Sequence, residues 1–103
     1  MTISDSNKKF IQSLIDYYTS EPQAYSEIVE AYSPKSELSE TTTGFVIGMI
    51  YSGFLRAYAD QDLEMKSNDI DEFNSMIRDN ITKIRNAFLN INPLTAKTVR
   101  DKF

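Results

Sequence analysis

The greatest concentration of groups able to do chemistry lies in "DQDLEMKSNDIDE", residues 60–72. Carboxylates at alternate positions are how a helix–loop–helix segment holds calcium. Here Asp60, Asp62 and Glu64 fall at positions one, three and five of such a loop, with Asn68 and Asp71 at nine and twelve. Position six, where glycine permits the sharp turn, is Met65, and the closing ligand is aspartate rather than the longer glutamate. Those departures favour a solvated acidic connection between two helices, with Asp60, Asp62, Glu64 and Asp71 as the metal candidates.

Tyrosines recur seven apart, as Tyr25/Tyr32 and Tyr51/Tyr58. Two helical turns set each pair along one face, where the hydroxyls could line a pocket for a polar ligand. The favoured reading places the rings at the core margin with their hydroxyls in water. Glu27/Glu30 and Glu37/Glu40 have a spacing that acid–base chemistry can use, but exposed helices carry it routinely. Neither histidine nor cysteine occurs anywhere. The commonest general base is thereby missing, as are imidazole and thiolate metal ligands. The three glycines stand inside one apolar segment and form no phosphate loop. No enzymatic activity and no cofactor are expected.

The net charge of −4 is unevenly spread: residues 36–72 carry eight acidic and two basic groups, residues 73–103 six basic and two acidic. Nucleic-acid contact would have to use Arg78, Lys83, Arg85, Lys97, Arg100 and Lys102. Of these Arg78 and Arg85 share a helix face, and the acidic remainder repels a phosphate backbone. A small helical nucleic-acid-binding regulator is therefore an alternative rather than the leading expectation. The opening "MTISDSNKKF" contains no apolar run of the signal-peptide kind, and with no cysteine the expectation is a soluble cytoplasmic protein with no membrane partner.

These groups must be positioned by helices. Only three glycines and three prolines occur in 103 residues, and the hydrophobics recur by threes and fours rather than by twos. The first pattern spans residues 6–18, with Phe10, Ile11, Leu14, Ile15 and Tyr18 on one face. Pro22 then turns the preceding residue away from helical geometry and opens a second helix, to residue 32. The two share a spacing at an offset of fourteen, which leaves open one long helix kinked at Pro22; two helices in an antiparallel hairpin are preferred. "SPKSELSETTT" connects to a third helix that ends near residue 63. Asp69, with Glu72 three positions on, has the form of a capping box. From there Ile70, Phe73, Ile77, Ile81, Ile84, Phe88 and Ile91 mark a fourth helix of about six turns. Asn92-Pro93 stops it, and residues 93–103 form a short fifth.

The expected architecture is all-α, a single-domain helical bundle over residues 1–103 with four main helices plus a short C-terminal helix, arranged up and down. Its predicted core is Phe10, Leu14, Ile28, Val46, Ile47, Ile50, Phe54, Phe73, Ile77, Ile81, Ile84 and Phe88.

The segment "TGFVIGMIYSGFLRAY", residues 43–58, is too short before Arg56 to span a bilayer and too apolar for an ordinary surface helix. Its large side chains gather on one face. Opposite them Gly44, Gly48 and Ser52 climb the helix at intervals of four, flanked by Phe45 and Met49. Two apolar faces imply cover from both sides, either within the bundle or by a second copy of the chain. The leading expectation is thus a non-enzymatic interaction module that pairs as a homodimer through Gly44, Phe45, Gly48, Met49 and Ser52, with a further protein partner also open to it. The alternative from another class is a bundle that binds a small ligand or a metal through the tyrosines or the 60–72 connection.

Overall fold

The computed structural model describes residues 2–89. Helix α1, Asp5–Ser20, starts where Ser4 accepts a hydrogen bond from the Asn7 N–H at 3.1 Å. It ends at Glu21, whose φ of −132° and ψ of 71° lie outside helical geometry, as the ring of Pro22 demands of its predecessor. Helix α2, Pro22–Glu30, resumes at once with the proline in its first turn, where a missing N–H costs nothing. A single 3₁₀ turn over Lys35–Glu37 leads into α3, Leu38–Asp60, of 23 residues. Helices α4, Ser67–Asp79, and α5, Ile81–Leu89, follow.

The preferred hairpin of α1 and α2 is not what forms. Both helices pack on α3 and α5, as two segments of one bent rod running antiparallel to α3. Asn7 bonds to Gln61, Leu14 lies against Gly53, and Ser33, just past α2, bonds to Thr41. The reason is geometric: Pro22 interrupts the hydrogen bonding for one residue only, and the apolar face continues on the same side.

The expected single fourth helix is likewise two. Asn80 bonds its own side chain back to the Met76 carbonyl at 2.9 Å and accepts from Gln12 of α1 at 3.3 Å, so the chain bends there before the Ile84 N–H starts a new ladder on the Asn80 carbonyl. The apolar repeat passes through the bend unchanged because Ile77, Ile81, Ile84 and Phe88 keep steps of four, three and four. Together α4 and α5 run antiparallel to α3 and parallel to the first rod, since Glu72 meets Lys8 while Lys83 meets Asp16. The short helix expected over residues 93–103 lies outside the described residues, and so do Ile91, Lys97, Arg100 and Lys102.

The all-α bundle therefore packs as three rods around Ile3, Ile11, Ile15, Val46, Ile50, Phe54, Tyr58, Phe73, Ile77, Ile84 and Phe88. Phe54 stacks on Phe73 with ring centres 4.9 Å apart and planes within 6°, and Tyr51 and Tyr58 close on their edges. Each such side chain contributes about 1.5–3 kcal/mol by leaving water. Two expected core residues are out of it: Phe10 is 41% exposed and Ile28 52%. Leu14, Ile47 and Ile81 are half-buried at the margin. In α1 the inward row is Asn7, Ile11 and Ile15, one position round from the Phe10/Leu14 pair.

Candidate functional site

Helix α3 touches both other rods, and its burial is one-sided. Thr42, Thr43, Val46, Ile50, Phe54 and Tyr58 face inward, and the two threonines return their hydroxyls to the carbonyls of Leu38 and Ser39 at 2.7 and 2.9 Å. On the opposite side Gly44, Gly48, Ser52, Leu55 and Ala59 are exposed. Phe45 and Met49, at the edge of that side, are half-buried against the core. The five residues predicted as an interface thus lie on one helix face, and among the described residues none packs closely on Gly44 or Gly48.

The glycines divide sharply. Among the described residues a Cβ at Gly44 or Gly48 would meet nothing within 4 Å, whereas a Cβ at Gly53 would stand 2.7 Å from Leu14 Cδ1. Close approach of the first rod to α3 is therefore made at Gly53. That residue lies off the Gly44/Gly48/Ser52 row and was not singled out by sequence pattern. Only its nearness to a bulky partner 39 positions earlier marks it.

The acidic candidates are separated. Asp60 ends α3. Asp62 sits in the left-handed region with φ 57°. There its N–H bonds to the Ala59 carbonyl at 3.1 Å, and the Leu63 N–H bonds to the Tyr58 carbonyl at 2.9 Å. This pair of bonds is the Schellman motif, a helix stop in which Asp62 takes the place usually held by glycine. Glu64 is exposed in the following loop and Asp71 on the outer face of α4. Among the described residues no group of three or more carboxylates could hold a metal ion.

Helix α4 begins three residues before the position expected from an Asp69 N-cap. Lys66 is its N-cap and Asp69 its third residue, whose carboxylate accepts from the Lys66 N–H at 2.9 Å. Lysine has no acceptor, so only this return half of a capping box forms. That N–H bond holds the Asp69 carboxyl below the usual carboxylate range, while burial and the Asp69 charge push the Tyr58 phenol up. Glu72, freed from capping, accepts from the backbone N–H groups of Thr2 and Ile3 and pairs with Lys8 at 3.0 Å. Lys8 chiefly lowers its carboxyl. This strap buries Ile3, which sequence pattern passed over because it precedes α1.

The two members of each tyrosine pair have different surroundings. Tyr25 leans edge-on against Tyr18, Tyr32 is exposed, Tyr51 packs on Phe73 and Tyr58 is buried. Of the basic groups considered for nucleic acid, Arg78 and Arg85 are exposed, while Lys83 pairs with Asp16.

Over the described residues the chain is a three-rod all-α bundle whose α3 presents an exposed small-residue face. Comparison with models of known families, with curated proteins and with solved structures finds no match. Among the described residues no helix is long and apolar enough to cross a membrane.

Proposed function

We propose that the chain is a non-enzymatic protein-interaction module that pairs with a second copy of itself through the outer face of α3. The observation that carries this reading is the open space at Gly44 and Gly48. A glycine inside a helix costs about 1 kcal/mol relative to alanine. At Gly53 the Leu14 side chain occupies the space a Cβ would take; at 44 and 48 no described residue does, and an approaching helix from a second copy would.

A second α3 suits that place. The helix carries no charge between Glu40 and Arg56, so two copies of a chain with net charge −4 can meet there without like charges in contact. An antiparallel crossing near Gly48 sets Gly44 against the partner's Ser52. It also opposes the two helix dipoles. Phe45, Met49 and Leu55 supply apolar area beside the crossing.

Sedimentation velocity over a concentration series tests the pairing. Wild type is expected to move to dimer mass as concentration rises. Gly48→Glu, which enters open space and keeps its helical circular dichroism, is expected to stay a monomer. Wild type remaining a monomer throughout overturns the proposal, and so does a Gly48→Glu variant that pairs as well as wild type.

A further inference from the structure

A groove of about 420 Å³ runs between α1 and the second half of α3, around the edge of α3 from the pairing face. Gly53 and Ala57 make its floor and the half-exposed ring of Phe10 its wall. Arg56 and Asp60 stand on the α3 rim, one turn apart, and Gln61 lies at the end, where its Nε2 donates to the buried Asn7 Oδ1 at 2.8 Å. That volume is within the range of small-molecule sites. The trough is apolar, and it is shaped by the close approach at Gly53, which leaves Phe10 standing beside α3 rather than under it.

The rim charges select the occupant. Arg56 and Asp60 are exposed, and among the described residues neither is in an ion pair. A cation placed N-terminal to an anion at this spacing is the weaker order for a helix pair, which leaves both charges open to other partners. A simple anion drawn to Arg56 is repelled by Asp60, and a simple cation meets the reverse. A molecule with a carboxylate and an ammonium on one carbon satisfies both at once, and an apolar group attached there would lie over Ala57 against Phe10.

We infer that this groove binds a free α-amino acid with an aromatic or branched apolar side chain. The carboxylate goes to Arg56, the ammonium to Asp60 and the side chain to Phe10. The site is separate from the pairing face and does not require pairing.

Amide chemical-shift titration of the full chain with L-phenylalanine tests it, run in wild type and in Gly48→Glu so that binding is read whether or not copies pair. Saturable shifts confined to the α1 and α3 amides around Phe10 and Arg56–Gln61 are expected in both proteins. 3-Phenylpropionate, lacking the ammonium, and phenethylamine, lacking the carboxylate, should each bind about threefold more weakly, and glycine should give no saturable shift. Phe10→Ala and Asp60→Asn should each weaken L-phenylalanine binding while leaving the remaining spectrum folded. Absence of saturable shifts overturns the inference, as does equal binding of the single-charge analogues. Binding of N-acetylphenylalanine amide as tight as that of the free amino acid also overturns it, because the groove would then be reading a peptide side chain and not a zwitterion.

Discussion

Asp62 holds a φ of 57° that branched or bulky residues avoid and glycine adopts freely. Its place in the structure is set by the backbone: it ends α3 through the Schellman bonds, a role that calls on its φ and not on its carboxylate. Asp62→Gly is therefore expected to stabilise the fold by about 0.5–1 kcal/mol, raising Tm by about 3 °C in a thermal melt, with no change in calcium response. A lower Tm would mean that the Asp62 side chain contributes more than its backbone costs. Glycines carry the opposite lesson. The regular row Gly44, Gly48 was visible as a pattern and is open among the described residues; Gly53, outside the row, is where the Leu14 side chain of α1 lies against α3. Spacing along one helix identifies a face, and only the neighbour's position tells which glycine on it is needed.

Two helix breaks shape the rods, and they differ in how they can be read. Pro22 lacks an N–H and restricts Glu21, so that break is written in residue type. Asn80 breaks its helix by a side-chain bond to Met76 and a contact with Gln12, which depend on the first rod being present. The apolar repeat crosses both breaks, so period alone could neither split α4 from α5 nor fold α1 back on α2. The apolar arc of α1 is wider than the surface it buries. Phe10, Ile11, Leu14, Ile15 and Tyr18 all qualify by spacing, and packing places Ile11 and Ile15 inside with Phe10 at the edge. Ile11→Ala is accordingly expected to cost about 2–4 kcal/mol in a urea titration, and Phe10→Ala under about 1 kcal/mol. Equal costs would show α1 rotated from the orientation described.

The whole molecule is tied across its first and third rods by carboxylates. Glu72 holds Lys8 and the Thr2–Ile3 backbone, and Asp16 pairs with Lys83, which chiefly lowers the Asp16 carboxyl. Glu72, Asp69 and Asp16 all have carboxyls depressed below their ordinary values of 4.5, 3.8 and 3.8. Groups depressed in the folded state bind protons more readily when unfolded. Their stabilisation is complete above those ordinary values and is lost as pH falls towards the folded ones. The urea midpoint should therefore be flat from pH 7 to about pH 5 and decline below it, and Glu72→Gln should make that decline shallower. An unchanged slope in the variant would remove Glu72 from this role.

What residue types and spacing decided was the helical class, the break at Pro22, and most of the α3 and α4–α5 core. These follow from local steric rules and from a period that each segment carries within itself. Which apolar positions of α1 turn inward was settled by tertiary contact, as were the burial of Ile3 under the Glu72 strap, the bend at Asn80 and the open state of Gly44 and Gly48. In each of these the deciding atom belongs to a residue far away along the chain, and a one-dimensional pattern contains no distance between rods.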